Sequence, residues 1–355
     1  MKTIISCAAI CILGVFCFGI MPGALRAQGS GSRSPGVPPS VGSGPFKAVM
    51  EMDPGLSDHT IYRPDDLSAS KATSLPIVLW GNGACANSGN FFAPFLTEIS
   101  SYGYLVIALG SITELNAAGF PQSPVAPPRP PGSDPSQPPA NLPPPATHPA
   151  QLIEAMNWAL AENQRPASKY YQRLDSRKIA VMGQSCGGAQ ALSISNDHRI
   201  KTIVLWDSCS FQFIQGRGPA PVFPGRGAQP TGPLPGPPQG RGAIPVPAIQ
   251  PELLTALRAP IAYFMGGERD MLYAPAKGDI ELYGAAPLFW ASTDLPLDAH
   301  AGSFREKNGG KFGVVGVAWL EWQLKGDQNA AKMFKGASCG LCVDSQWEVH
   351  KERID

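Results

Sequence analysis

Apolar residues in this chain fall into two kinds of segment, short continuous runs and longer stretches with helical spacing. The continuous runs occupy residues 75–80, 104–109, 178–182, 201–206 and 260–265. A run that is apolar at nearly every position is typical of a parallel strand buried on both faces. We therefore predict that these five segments are strands of one sheet.

The stretches between these runs have apolar residues every three to four positions. This spacing occurs in residues 91–102, 151–163 and 314–324, the last of which we expect to be a closing amphipathic helix, and we expect a further helix to begin over residues 188–194. The spacing is typical of a helix with one buried face. Strands that alternate with helices predict an α/β fold, with a mostly parallel central sheet and helices on both faces.

Two segments rich in proline and glycine interrupt this pattern, at about residues 120–149 and 212–251. Proline has no N–H to donate to a neighbouring strand, so these segments cannot join the sheet. We predict two surface loops inserted into a single domain over residues 45–355. Elsewhere apolar residues are frequent enough for a sizeable core, since 43% of the chain is hydrophobic and 15% is charged.

The first residues have the pattern of an export signal. Lys2 precedes an apolar run over residues 4–20, and Ala27 ends the small-residue segment that follows. This order of a basic, an apolar and a cleavage region is typical of a secretory signal peptide. We predict that residues 1–27 are removed, that residues 28–44 are a flexible linker, and that the protein is secreted or periplasmic without stable membrane insertion.

Net charge and motif content exclude several kinds of partner. A formal charge of +1 gives no electrostatic attraction to polyanions, and the three Gly-Arg-Gly motifs of the second insertion lack interleaved aromatic residues. We therefore expect no nucleic-acid partner, and we expect a monomer. The histidines are scattered without a companion carboxylate pair, so we predict neither a metal site nor a cofactor.

Loss of the signal would leave five cysteines, namely Cys85, Cys186, Cys209, Cys339 and Cys342. Disulfides persist in the oxidising compartments to which export leads. We expect a structural disulfide that involves Cys339 or Cys342. Five is an odd number, so at least one thiol should be unpaired within a monomer. The pairing itself stays open at this point.

The motif that carries chemistry is Gly183-Gln184-Ser185-Cys186-Gly187, a Gly-x-Ser-x-Gly pattern. It follows a predicted strand and precedes a predicted helix. In that context the serine sits on a tight strand-to-helix turn, where its hydroxyl is exposed at the end of the sheet. We predict that Ser185 is a nucleophile.

A nucleophilic serine needs a base, which in this arrangement follows it along the chain after an acid. His59 and His148 precede the serine, and His198 comes only thirteen residues after it. His350 lies in a charged tail that we expect at the surface. His300 lies in a loop of small residues before a helix, and we predict that it is the base.

Two aspartates compete for the role of acid. Asp270 follows the predicted strand at 260–265 and a short turn, and Asp207 directly follows the strand at 201–206. Both lie at the carboxyl edge of the sheet, where functional groups of α/β proteins gather. We favour Asp270. The alternative role of Asp207 is to cap the end of its strand.

The loop after the first predicted strand contains Trp80-Gly81-Asn82-Gly83-Ala84-Cys85. Its glycines allow close backbone approach, so we predict that the N–H groups of Ala84 and Cys186 form an oxyanion hole. Trp80, Asn82 and Trp206 lie near the same edge, and we expect them to bind substrate. The alternative is that the two tryptophans pack the sheet and that Asn82 shapes the turn.

Four stretches resemble the α/β-hydrolase superfamily, nearest to its dienelactone-hydrolase and cutinase-like polyester-hydrolase branches. They are residues 76–83, 183–187, 266–270 and 300–304. The resemblance runs from about Pro45 to Leu324, apart from the two insertions. It implies an α/β-hydrolase fold, a triad of Ser185, Asp270 and His300, and oxyanion donors at Ala84 and Cys186. Ala84 stands where polyester hydrolases of this type have an aromatic residue.

Residues and resemblance together predict a serine hydrolase that cleaves small-molecule or polymeric carboxylic esters through an acyl-enzyme. Two alternatives stay open. An acyltransferase would use the same triad with an alcohol in place of water. A non-catalytic binding protein would use the Pro-rich loops as interaction elements, and it would not need the ordered Ser, Asp and His.

Overall fold

One twisted sheet carries the fold. The computed structural model describes residues 41–68, 74–116, 146–211, 249–296 and 299–354. The strands in these residues are β1 (Ala48–Asp53), β2 (Leu56–Pro64), β3 (Leu75–Gly81), β4 (Leu105–Leu109), β5 (Leu174–Gln184), β6 (Ile200–Trp206), β7 (Ile261–Met265), β8 (Leu288–Ser292) and β9 (Glu348–Glu352).

The α-helices of the same residues include two of sixteen residues, α2 and α6, and several shorter ones. Their bounds are α1 (Ala93–Ser101), α2 (Pro149–Gln164), α3 (Cys186–Ser193), α4 (Pro251–Ala256), α5 (Tyr273–Asp279), α6 (Gly310–Lys325), α7 (Gln328–Ala331) and α8 (Gly340–Val343).

The strands lie in the order β1-β2-β4-β3-β5-β6-β7-β8-β9. The six from β4 to β8 run parallel to one another, while β1, β2 and β9 join the edges in antiparallel pairs. The predicted α/β class with a mostly parallel sheet is therefore confirmed.

The parallel part of the sheet is buried on both faces, as its continuous apolar strands predict. Ile77 and Leu79 of β3 face one apolar cluster with Met156 of α2. Val78 of β3 faces the other way, into a second cluster with Trp319 of α6. Successive side chains of a strand point to opposite faces, so one apolar run supplies both layers of the core.

Four strands were not predicted. β1 and β2 mix polar and apolar residues and pair antiparallel, while β9 is the segment interpreted above as a charged tail. Its pairing with β8 turns that tail into an edge strand. β8 is buried at all five positions and has a recognisable apolar run. The expectation that α6 closes the fold is wrong, because α7, α8 and β9 follow it.

The predicted signal at 1–27, most of the linker at 28–44 and most of both Pro-rich insertions lie outside the described residues. Within the described ranges, no helix combines the length and the apolar character needed to cross a membrane.

A buried carboxyl group joins the end of α5 to the segment after β6. Asp279 accepts hydrogen bonds from the Ser210 N–H (2.5 Å), the Ser210 hydroxyl (2.5 Å) and the Tyr263 hydroxyl (3.1 Å). Burial raises the pKa of Asp279 to about 7, although these hydrogen bonds oppose the shift. Folding therefore favours the protonated form of this group.

This raised pKa predicts a pH dependence of stability. The contribution of Asp279 is fully present below its unfolded pKa and is lost as pH rises through about 7. We expect the free energy of unfolding of Asp279→Asn, relative to wild type, to rise by about 1.4 kcal/mol per pH unit between about pH 5 and about pH 7, and to level off at higher pH. Urea unfolding at each pH measures this difference.

The matched control is Asp197→Asn. Hydrogen bonds from Arg199 lower the pKa of Asp197 to about 2, so this group is ionised in both states across the same pH range. Its difference from wild type should stay nearly constant there. A flat difference for Asp279→Asn as well would contradict the predicted linkage.

Candidate active site

Ser185 lies on the sharp turn between β5 and α3. Its backbone has φ 52° and ψ −120°, a conformation that is unfavourable for a residue with a side chain. The turn is held from both sides, because the Ser185 N–H donates to the Trp206 carbonyl (3.0 Å) and the Ser208 hydroxyl donates to the Ser185 carbonyl (2.7 Å). The side chain is half-buried.

Glycines make this turn possible by removing side chains where backbones meet. A Cβ on Gly183 would collide with the carbonyl of Gly187, four residues later. A Cβ on Gly187 would collide with the backbone of Gly81, at the end of β3. The motif glycines are therefore required by close packing, and they also bring the loop after β3 against the start of α3.

The structure brings the predicted base and acid to this serine. His300 Nε2 lies 2.9 Å from Ser185 Oγ, and His300 Nδ1 lies 2.7 Å from Asp270 Oδ1. The same Asp270 oxygen accepts the Leu272 N–H at 2.9 Å, which fixes the carboxylate relative to the turn after β7. The Asp270 side chain has no exposed surface, and that of His300 is 24% exposed.

Asp207 lies at the end of β6, but it has a different structural role. It is buried, its φ is 42°, and its Oδ1 accepts the Gly266 N–H at 2.8 Å. It thereby joins the ends of β6 and β7. The sequence left the choice of acid open, and the structure places Asp270 against the His300 ring.

The other histidines lie in varied surroundings. His59 is buried in β2, where its Nε2 lies 3.0 Å from the Gln151 carbonyl oxygen and burial lowers its pKa. His148 caps the start of α2. The side chains of His198 and His350 are 93% and 46% exposed. His350 is at the surface as expected, although in a strand.

The predicted oxyanion residues lie on the two segments that meet beside Ser185. Residues 83–85 form a 3₁₀ turn in which Ala84 and Cys85 have φ of 56° and 49°. Ala84 is exposed. Cys186 is the first residue of α3, so its N–H belongs to the groups that no acceptor within the helix satisfies.

The three residues expected to bind substrate are buried. Trp80, Asn82 and Trp206 each have 0% exposure. Trp80 and Trp206 pack around Phe95 in the core. The Asn82 amide accepts from the Trp80 indole and donates to the Ala86 and Leu109 carbonyls, which shapes the loop after β3. We therefore assign these side chains to packing beneath the site instead of substrate contact.

Two residues that support the site were not predicted. Gln184 precedes Ser185, and its Nε2 donates to the His300 carbonyl at 2.7 Å. Thr147 donates to the Cys85 carbonyl from its hydroxyl (3.0 Å) and its N–H (3.2 Å). Both act across large sequence separations, and nothing in their local sequence distinguishes them from ordinary polar residues.

The cysteines form two pairs. Cys85 pairs with Cys186, and Cys339 pairs with Cys342. The second pair agrees with the expected disulfide at Cys339 or Cys342. Cys209 is unpaired and buried in the described part of the chain, and burial raises its thiol pKa well above the ordinary value. This thiol is therefore a poor nucleophile.

A separate cavity of about 530 Å³ lies beside α6, α7 and α8, and residues such as Val314, Met333 and Trp347 line it. None of the residues that surround Ser185 lines it. Across the described residues, no group of three or more His, Cys, Asp or Glu side chains is arranged to hold a metal ion.

Neither a protein-family model nor a curated protein matches this chain.

Proposed function

We propose that this chain is an exported serine hydrolase of the α/β-hydrolase superfamily that cleaves carboxylic esters through an acyl-enzyme. One observation carries the proposal, namely the hydrogen-bonded chain from Ser185 through His300 to Asp270. A nucleophile, a base and an orienting acid in this geometry are the requirements for acyl transfer by a serine.

The structure around these three hydrogen-bonded residues supports the same proposal. The serine lies on a strained turn between a parallel strand and a helix, and the residues follow in the order Ser, Asp, His along the sequence. This combination is typical of α/β-hydrolases. The disulfide pairs support export, because such bonds persist in oxidising compartments.

In the proposed mechanism, His300 Nε2 takes the proton of Ser185 as Oγ attacks the ester carbonyl. Asp270 accepts the Nδ1–H of the imidazole, which keeps Nε2 free to act as the base and stabilises the imidazolium that forms. The N–H groups of Ala84 and Cys186 bind the negatively charged oxygen of the tetrahedral intermediate.

Collapse of this intermediate breaks the ester C–O bond, and His300 returns the proton to the leaving alcohol. Water then attacks the acyl-Ser185 ester with His300 again as the base, which releases the acid and restores the enzyme. Every proton in this cycle moves between the substrate, water and two side chains, so the chemistry needs no cofactor.

The substrate is best explored with p-nitrophenyl esters of short and long acids, with the protein expressed from the full chain and purified after export. We expect hydrolysis, with a chain-length preference that reports the size of the acyl site. Added ethanol distinguishes an ester hydrolase from an acyltransferase, because an acyltransferase would form ethyl esters in preference to the free acid. A folded protein that neither hydrolyses esters nor reacts with an organophosphate at Ser185 would contradict the proposal.

A further inference from the structure

The Cys85–Cys186 disulfide joins the two segments to which the proposed mechanism assigns oxyanion binding. Cys186 directly follows the nucleophile, and Cys85 directly follows Ala84. Their Cα atoms are 5.2 Å apart, although 101 residues separate them along the chain. The covalent bond therefore connects one proposed donor residue, Cys186, to the residue that follows the other, Ala84.

The loop that carries Ala84 has a backbone that needs support. Ala84 and Cys85 are consecutive residues with positive φ, and L-residues with side chains rarely adopt this conformation. Such conformations persist where the surrounding structure holds them. The Ala84 side chain is a single exposed methyl group, which offers no polar anchor of its own.

Cys85 supplies that anchor at two points. Its carbonyl accepts hydrogen bonds from Thr147, whose own carbonyl accepts one from Gln190 of α3 at 2.7 Å. Its side chain is bonded to Cys186 at the start of the same helix. Both cysteines are almost fully buried, with 1% and 2% exposure. Hydrogen bonds and a covalent bond thus attach the residue after Ala84 to α3, the helix that directly follows Ser185.

We propose that the Cys85–Cys186 disulfide is a positioning element of the oxyanion hole. It fixes the position of the Ala84 N–H relative to the Cys186 N–H, so that both can donate to the same oxygen. This inference rests on the proposed function. Oxyanion stabilisation is made in the transition state more strongly than in the ground state. Loss of the disulfide should therefore lower kcat and leave KM largely unchanged.

A purely structural role is the competing explanation. A bond that closes a loop of 101 residues also restricts the unfolded chain, so its loss lowers stability whatever it does at the site. The second disulfide provides a matched control, since its two cysteines are only three positions apart, with Cys339 directly before α8 and Cys342 within it. Its cysteines flank neither Ser185 nor Ala84.

The test compares Cys85→Ala/Cys186→Ala with Cys339→Ala/Cys342→Ala in the full-length exported protein, at a temperature where circular dichroism shows both to be folded. For the first variant we expect kcat on p-nitrophenyl acetate to fall about 100-fold, the effect of losing one oxyanion donor. KM should change less than about threefold, and binding of phenylboronic acid, which mimics the tetrahedral state, should weaken in parallel with kcat. The second variant should keep its kcat.

A folded Cys85→Ala/Cys186→Ala protein whose kcat stays within about threefold of wild type would overturn the inference. Absence of esterase activity in the wild type would instead overturn the proposed function, so the two failures are distinguishable. A drop in kcat of equal size in both double variants would also count against a specific role of the first disulfide.

Reduction provides the measurement if Cys85→Ala/Cys186→Ala does not fold. In Cys339→Ala/Cys342→Ala, Cys85–Cys186 is the one disulfide left among the described residues. Dithiothreitol supplies two electrons and two protons, which convert that bond to two thiols while the reagent becomes a cyclic disulfide. We expect activity to fall as thiols appear, before near-ultraviolet dichroism changes, and to return on reoxidation. If activity and near-ultraviolet dichroism were lost at the same time, the inference would be overturned, because the disulfide would then act only by stabilising the fold.

Discussion

Replacing Ser185 by alanine is expected to lower kcat for ester hydrolysis by about 10⁴-fold or more, while the protein stays folded. The substitution removes the atom that His300 Nε2 faces at 2.9 Å, so no acyl-enzyme can form. Alanine keeps the Cβ that the strained turn already accommodates, and we therefore expect little change in stability. Initial rates on p-nitrophenyl acetate, with circular dichroism as the measure of folding, give the result.

Ser193→Ala is the matched control for this substitution. Ser193 is the last residue of α3, the helix that directly follows Ser185, and its hydroxyl donates to the Ala189 carbonyl within that helix. We expect its kcat to remain near the wild-type value. The members of a triad act as a unit, so Ser185→Ala combined with His300→Ala should lose little more than Ser185→Ala alone. Activity of Ser185→Ala within tenfold of wild type would mean that another group performs the reaction.

Asp270→Asn is expected to lower kcat by about 10⁴-fold. The Asp270 carboxylate lies 2.7 Å from His300 Nδ1 and can accept a hydrogen bond from the Nδ1–H. An amide of the same shape can present its NH₂ group to Nδ1, which favours the tautomer that carries the proton on Nε2 and so blocks the base. Kinetics of the purified variant across neutral pH measure the loss, and a small effect would contradict the assigned role.

The same substitution at Asp207 separates the two aspartates that the sequence left in competition. Its Oδ1 accepts the Gly266 N–H, and the amide oxygen of asparagine can make this bond equally well. We therefore expect Asp207→Asn to keep kcat within about tenfold of wild type. If Asp207→Asn loses activity and Asp270→Asn does not, the assignment of the acid is reversed.

Most of the parallel sheet could be predicted from sequence because its strands are buried on both faces. Burial of that kind requires an apolar side chain at nearly every position, which is a local signal. The edge strands have a weaker hydrophobic pattern in the sequence. β9 pairs with β8 along one edge only, and its residues are mostly polar and partly exposed. The segment looks like a charged tail until its partner is known.

Most of the candidate triad could be predicted from the sequence for a different reason. The tight turn at Ser185 needs glycine at positions 183 and 187, so close packing imposes the same local pattern that the proposed chemistry requires. His300 followed from elimination among few histidines. The sequence favoured Asp270 over Asp207 without settling the choice, because both aspartates follow parallel strands at the same edge. Only the positions of the loops show which carboxylate meets the imidazole.

The expectation that Trp80, Asn82 and Trp206 bind substrate shows the limit of reasoning from position along a strand. All three lie at the carboxyl edge, yet each is buried. An aromatic residue near this edge can point into the core or toward the substrate. A shift of one residue along the strand moves its side chain to the opposite face of the sheet. Burial depends on what packs above, which only the assembled layers determine.

The sequence by itself determined the α/β class, the strained serine turn and the set of residues that could act with it, because each depends on local periodicity or on the size of adjacent side chains. The tertiary structure alone decided which acid meets His300, which cysteine reaches Cys186 and which polar side chains support the site. These are contacts between residues far apart in the chain, and their geometry depends on how loops and layers pack together.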